Sequence, residues 1–290
     1  MPTPGSLLLG THVSIAGGLH NAFSRGEQAG CSAIQIFTKN ASRWHAKPLS
    51  TSDITAFKAA RHQSPIAFIA AHSSYLINLA SPNNDKRQKS IDAFVDEIQR
   101  CADLGIESLV MHPGAHTGSG STRGLAQLCA SFRTIFRQVP STVMVLLENT
   151  AGQGTYLGSR FEQLASIIKD VPEGHFGICL DTCHAFAAGY DLASEAGYTE
   201  TIDEFDRLIG LQHLKLIHIN DSKKPCGSKV DRHAHIGEGE MGIAGFKALM
   251  QDERLAQVPK ILELPPGEDN CHDKKNLVLL RAMARNTEAR

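Results

Sequence analysis

The chain has 290 residues, 42% of them hydrophobic, which is enough to fill one large α/β core or two smaller ones in an ordinary soluble globular protein. A formal net charge of -1 excludes a protein that coats nucleic acid non-specifically, while leaving room for a local basic face and a DNA substrate. The 7 cysteines are odd in number, scattered mostly in apolar segments and without a CxxC pair, the pattern of reduced core thiols in a cytosolic protein.

In chain order, SLLLGTHVS reads as a short buried strand ending near His12, and GLHNAFSRGEQAG as a helix that closes on Gly30. The same alternation returns in SAIQIFT then TSDITAFKAARHQ, PIAFIAAH then NDKRQKSIDAFVDEIQRCADLG, and ESLVMH then STRGLAQLCASFRTIFRQ. It continues in TVMVLLEN then SRFEQLASIIKD, GHFGICLD then a helical region ending near Gln212, LKLIHIN then GIAGFKALMQ, and KILELP then KKNLVLLRAMARN. Eight strand and helix units result. Continuous Val/Ile/Leu runs indicate parallel strands buried on both faces, so the expected fold is α/β, a single-domain (β/α)8 TIM barrel spanning residues 1–290. An open doubly wound sheet is the alternative, but no GxGxxG or GxxxxGK[ST] follows any strand. The opening MPTPGSLLLG lacks a basic n-region, and no apolar stretch reaches membrane-span length, so the expected setting is cytoplasmic, with no membrane partner.

The carboxyl ends of the strands, where a barrel carries its active site, hold a repeating set of residue types. Strand three ends at His72, strand four at His112, strand five at Glu148, and strand six at Asp181 with His184 one turn later. Strand seven ends at His218 and strand eight at Glu263. A single histidine at a strand end is more often a satisfied hydrogen-bonding residue than a ligand, but that account does not cover six successive strand ends. Converging His, Asp and Glu without cysteine partners form the donor set of hydrolytic divalent-metal sites. After strand seven, the polar loop HINDSKKPCGSKVDRHAHIGEGE adds Asp231 and His233, whose one-residue separation lets both side chains leave an extended backbone on the same face.

The phrases HVSIAGGL, IFTKN, HSSYLINLA, LENTAGQG, CLDTCHAFAAGYD and HINDSKKPCGSKVDRHAHIGEGE closely resemble the endonuclease IV family of apurinic/apyrimidinic endonucleases, and the resemblance covers nearly the whole chain. It implies three Zn²⁺ per chain: one held by His72, His112 and Glu148, a second by Glu148, Asp181, His218 and Glu263, and a third by His184, Asp231 and His233. Glu148 would then bridge two ions, with Glu148 and Glu263 the catalytic carboxylates. Four carboxylates give the empty pocket a charge of about -4, and three Zn²⁺ invert it to about +2, which favours a phosphate. The implied reaction is zinc-dependent hydrolysis of the phosphodiester 5′ to an abasic site in double-stranded DNA, leaving a 3′ hydroxyl and a 5′ deoxyribose phosphate, with blocked 3′ ends also cleared.

Expected DNA contacts are Lys39, Asn40 and Arg43 after strand two, Tyr75 after strand three, and Arg232 between two ligands. KNASRW departs from the family pattern by placing Ser42 where Arg is usual and Arg43 one step later, and LPPGED after Glu263 departs from a usual Thr. His116, His235 and His272 lie off the ligand pattern and read as surface or supporting residues. A monomer is expected. Two competing readings are a metal-dependent sugar isomerase on a related barrel, which leaves Asp231 and His233 without a purpose, and a non-catalytic DNA-damage binding module, which has no need for every ligand position to be filled.

Overall fold

The computed structural model describes residues 7–139, 142–265 and 267–285. The first half runs β1 (Leu9–His12), α1 (Asn21–Ala29), β2 (Ala33–Phe37), α2 (Thr51–Gln63), β3 (Phe68–His72), α3 (Asn84–Leu104), β4 (Ser108–Met111) and α4 (Ser121–Gln138). The second half runs β5 (Met144–Glu148), α5 (Phe161–Asp170), β6 (Phe176–Asp181), α6 (Thr182–Ala188), α7 (Glu195–Leu208) and β7 (Leu214–His218). It ends with β8 (Asp221–Ser222), β9 (His233–Ala234), α8 (Ala244–Gln251), β10 (Lys260–Leu262) and α9 (Cys271–Ala284). Eight strands pair in parallel and close in the order β1-β10-β7-β6-β5-β4-β3-β2, so the expected (β/α)8 barrel is present and the open sheet is not.

Local chemistry explains the element boundaries. Ser50 and Asp53 form a reciprocal capping box at the start of α2, each side chain accepting from the other's backbone N–H at 3.1 Å. Gly30 and Gly105 close α1 and α3 in the left-handed region, at φ 83° and 74°, where a side chain would be strained. Two features go beyond the sequence reading. The helical region after β6 is two helices, broken where Gly189 takes φ 110°, and the loop after β7 contains the antiparallel β8–β9 pair.

The alternation of side chains along the strands positions everything that follows. One set of strand residues, including Ile34, Ile69, Leu109, Val145, Ile178 and Ile217, belongs to the large core shared with the helices. The intervening set, Ala33, Ala70, Val110, Leu146, Cys179, Leu216 and Ile261, forms a separate buried cluster inside the barrel, one residue from each of seven strands. Two positions further along each of those strands the same face carries Gln35, His72, His112, Glu148, Asp181, His218 and Glu263. The barrel's apolar interior therefore ends in a ring of polar side chains at its carboxyl mouth.

Closure also depends on Gly10, paired with Ala33 on β2 and Ile261 on β10. A Cβ there would lie 1.6 Å from the Ala33 carbonyl oxygen. Gly10→Ala should lower the urea unfolding midpoint, with a cost at or above the about 1–3 kcal/mol typical of overpacking. Equilibrium denaturation followed by circular dichroism measures it, and an unchanged midpoint would show that β1 and β2 separate freely.

Candidate metal centre

Glu148 sits at the centre of the ring and is 0% exposed. Its Oε2 lies 3.1 Å from His72 Nε2 and 3.0 Å from His112 Nε2, while its Oε1 lies 3.1 Å from His218 Nδ1 and 3.2 Å from His184 Nδ1. On one side, His218 Nδ1 is also 3.1 Å from Glu263 Oε2 and 3.9 Å from Asp181 Oδ2. On the other, His184 Nε2 is 3.2 Å from Asp231 Oδ2, and His233 Nε2 is 3.4 Å from Asp231 Oδ1 and 3.7 Å from Asp181 Oδ2. Donor atoms gather within 4.8 Å of one another in His72–His112–Glu148, in Glu148–Asp181–His218–Glu263, and in Asp181–His184–His233. All nine residues expected to hold metal thus meet in one connected centre, with Asp181 lying between the second and third groups. Cys183 also comes within that reach of Asp231 and His233. Burial pushes its thiol up to about 12, which keeps it protonated and a weak donor beside carboxylates and imidazoles.

The imidazoles are oriented for metal. His72 Nδ1 donates to Ser73 O at 2.8 Å, His184 Nδ1 to Asn149 O at 3.0 Å, and His233 Nδ1 to Glu263 O at 3.0 Å. His218 Nε2 faces Gln35 Oε1 at 2.9 Å. A carbonyl oxygen only accepts, so each of these nitrogens carries the hydrogen and the other ring nitrogen presents its lone pair to the carboxylates. His233 Nε2 shows the outcome most directly, being buried with no hydrogen-bond partner. A set of imidazole nitrogens and carboxylate oxygens of this kind suits zinc and related divalent ions.

Electrostatics agree. Burial opposes ionisation of Glu148, yet the His112 and His218 rings around it hold its carboxyl well below the usual range. Burial likewise opposes protonation of His184, but Asp181, Asp231 and Glu148 raise it well above an ordinary imidazole. Without metal, protons on His72, His184 and His218 therefore compete with a cation for those nitrogens.

Several residues not singled out in the sequence hold the donors in place. Asn149 reads both sides of the Asp181 peptide, accepting from Asp181 N at 2.7 Å and donating to Asp181 O at 3.0 Å. Asn220 donates to Asp181 Oδ2 at 2.8 Å and accepts from Glu263 N at 2.8 Å. Gln35 Nε2 donates to Glu263 Oε1 at 2.6 Å and lies 3.0 Å from His12 Nδ1. Asp221 organises the loop that carries Asp231 and His233. Its buried carboxylate accepts from Ser222 N at 2.7 Å and from Gly237, Gly239 and Met241 N at 3.0 Å each. A signal for Gln35 is present in the alternation of β2, since it stands two residues after the interior Ala33. For Asn149 the signal is a polar residue directly following a ligand, and for Asn220 a polar residue two positions after His218, on the same side of an extended chain.

The mouth opens through a cavity of about 350 Å³ lined by His72, Tyr75, His112, His184, Asp231, Arg232, His233 and Glu263. Of the residues expected to contact DNA, Asn40, Arg43, Tyr75 and Arg232 are exposed, Tyr75 by 67%. Lys39 is a correction: it is buried, with Nζ 2.6 Å from Asp96 Oδ2 and 3.5 Å from Glu97 Oε1, so its charge is spent inside the protein. Of the off-pattern histidines, His235 packs its ring 4.7 Å from that of His272. Cys226 and Cys271 are exposed, unlike the other five cysteines, which are buried as expected.

The family model described as xylose isomerase-like TIM barrel matches residues 23–282. A probable endonuclease 4 from Chloroflexus aurantiacus is 50% identical over 281 residues, 96% of this chain and 99% of that one. One from Citrifermentans bemidjiense is 49% identical over 278 residues, 95% of this chain and 98% of that one. The crystal structure of endonuclease IV from Thermus thermophilus superposes with a TM-score of 0.84 at 37% identity, covering 95% of this chain and 98% of that one. The chain belongs to the endonuclease IV family. It is an enzyme, and a D-tagatose 3-epimerase-like protein with a TM-score of 0.70 at 20% identity shares its fold alone. Among the described residues, no helix of this endonuclease IV relative is long and apolar enough to cross a membrane.

Two outcomes follow from the centre's chemistry. Because metal must displace protons from His184 and its neighbours, zinc binding should release protons and weaken as pH falls below neutrality. Titration calorimetry in buffers of different ionisation enthalpy measures this, and buffer-independent heats would contradict it. Asp221→Asn replaces an acceptor oxygen by a donor among four backbone N–H groups, so the variant should lose metal from the Asp231–His233 side first. Elemental analysis after dialysis should find less than one ion lost per chain if the loop were ordered by other means, and about one if Asp221 orders it.

Proposed function

We propose that this endonuclease IV family member is a zinc-dependent apurinic/apyrimidinic endonuclease, loaded with three Zn²⁺, that cuts double-stranded DNA on the 5′ side of an abasic site. The products are a 3′ hydroxyl and a 5′ deoxyribose phosphate, and the same centre clears blocked 3′ ends. The observation that carries the proposal is the convergence of three donor groups on one mouth, with four histidines held by carbonyl or amide oxygens so that their lone pairs face it.

Glu148 would hold two ions, since Oε2 faces the His72–His112 side and Oε1 the His218 side. Asp181, His218 and Glu263 would complete the second group, and His184 and His233 would make the third with Asp231, whose carboxylate oxygens lie 3.2 Å from His184 Nε2 and 3.4 Å from His233 Nε2. When bound, the ions supply Lewis acidity toward the phosphate and lower the pKa of water toward neutrality. The side chains then orient the donors and keep the carboxylates ionised, and no protein nucleophile is required. Beside the centre lies a cavity of about 310 Å³ lined by residues including His72, Ser74, Tyr75, Asn78, Gln153 and Tyr156. A sugar without a base costs less to extrude from the stack, so a cavity of this size beside the donor groups selects it without reading sequence. Exposed Asn40, Arg43, Tyr75 and Arg232 contact the strand on either side. The enzyme acts as a monomer in the cytoplasm, as one domain over residues 1–290.

The test compares a duplex carrying an abasic analogue with the intact duplex. Only the first should be nicked, and cleavage should fall steeply with added salt as phosphate contacts are screened. Glu148→Gln should stay folded by circular dichroism yet lose at least about a hundredfold in single-turnover cleavage, at or beyond the ~10–100-fold effect of disturbing a ligand's partner. Equal cutting of both duplexes would overturn the specificity, and near-normal turnover of the variant with full metal content would overturn the bridging role.

A further inference from the structure

The loops after β2 and β3, which present Asn40, Arg43 and Tyr75, are joined from behind by a buried polar cluster on α3. Glu97 is 1% exposed and accepts on both oxygens: Thr38 Oγ1 donates to Oε2 at 2.7 Å, and Ser74 N donates to Oε1 at 3.3 Å. Lys39 Nζ stands 3.5 Å from the same Oε1 and 2.6 Å from Asp96 Oδ2. One turn along α3, Arg100 donates to Thr38 O through Nη2 at 2.7 Å and to Lys47 O through Nη1 at 3.0 Å. The two loops also touch directly, Ser74 Oγ donating to Ala41 O at 2.6 Å.

A buried carboxylate is expensive to maintain, and one paired with a lysine and accepting from two loops is a poor device for stability alone. Its position supplies the reason. Thr38 and Lys39 precede Asn40, and Ser74 immediately precedes Tyr75, so Glu97 holds the Thr38 and Lys39 side chains just before Asn40 and the Ser74 N–H just before Tyr75, while Arg100 holds the Thr38 carbonyl. Tyr75 itself is largely exposed, meeting Phe37 edge-on at a ring separation of 5.4 Å and the tilted His72 ring at 5.8 Å. Its own packing does not determine where it points.

We propose that Glu97 is a positioning residue for DNA recognition: with Lys39 and Arg100 it clamps the β2 and β3 loops into one rigid unit that meets the strand around the abasic site. The proposal rests on the reading of the substrate as abasic duplex DNA. Rigid loops cost less ordering on binding, so the clamp acts on affinity for duplex and not on the chemistry at the metals.

Glu97→Gln keeps the shape but turns one acceptor into a donor facing a donor. Losing about one net hydrogen bond, roughly 1 kcal/mol, corresponds to about a fivefold rise in KM for the abasic duplex. kcat, metal content and hydrolysis of the small diester bis(p-nitrophenyl) phosphate should stay unchanged. Trp44, the single tryptophan, lies in the β2 loop and reports it independently of DNA, so acrylamide quenching of its fluorescence should increase. Thr38→Val, which removes one bond and no charge, should move KM and quenching the same way by a smaller factor and serves if the first variant does not fold. Unchanged KM and unchanged quenching would overturn the clamp, as would a parallel loss of small-diester hydrolysis, which would make Glu97 a support of the whole barrel. If wild-type enzyme failed to cut abasic duplex, the substrate reading would fall, while the quenching result would still decide whether Glu97 holds the loops.

Discussion

The structure turns on a carboxylate that water cannot reach. Glu148 is fully buried, and an isolated ionised carboxyl at such a depth would be neutralised by its own desolvation cost. It is instead faced by imidazole nitrogens of His72, His112, His184 and His218 at 3.0 to 3.2 Å. Two carboxyl oxygens addressed by two different sets of side chains make one residue the hinge between two donor groups. Their separation is then set by the width of a carboxylate and by the strands that carry its neighbours. Strand ends in a closed barrel move little relative to one another, because each is hydrogen-bonded on both sides.

Around this hinge the protein invests mainly in hydrogen bonds that do not touch metal. Asp181 is held at its backbone by Asn149 and at its side chain by Asn220, and Asn220 also takes the Glu263 N–H. Gln35 contacts His218, Glu263 and His12 at once. These bonds fix tautomers and rotamers before a cation arrives, so binding does not have to order the donors. The same arrangement leaves His233 Nε2 without a partner of its own, a cost of burial that an ion held there would remove.

Much of this was legible in the sequence for a simple reason. Parallel barrel strands are continuous apolar runs, and a His, Asp or Glu at the end of such a run stands out, as at VMH112, LLE148 and CLD181. Less legible were contacts that depend on which loops lie side by side. Lys39 follows an apolar run and looks like an exposed cation, yet α3 brings Asp96 and Glu97 against it from 57 and 58 residues away. Gln35 sits inside the run IQIF, where composition makes it look incidental, and only the interior parity of β2 marks it. Asp221 gives no sign in sequence that it will gather four backbone N–H groups from its own loop.

The three donor groups differ in what makes them rigid. His72, His112, Glu148, His218 and Glu263 project from strand ends or from the residue just beyond, so their positions follow from the barrel itself. His184 lies on α6, whose first turn is tied to β6 by Asp181 Oδ1 accepting from His184 N at 2.7 Å. Asp231 and His233 come from a long loop held by the short β8–β9 pair and by Asp221. A barrel shared with an epimerase-like protein at 20% identity can supply the strand-borne donors wherever its strand ends are polar. The third group needs an additional ordered loop. Gly239 shows how closely that loop is fitted, since a Cβ there would lie 2.4 Å from both Asp221 Oδ1 and Ser222 O. The third group is therefore the part of the centre that the barrel's strands do not position by themselves, and Asp221 links that loop to the end of β7.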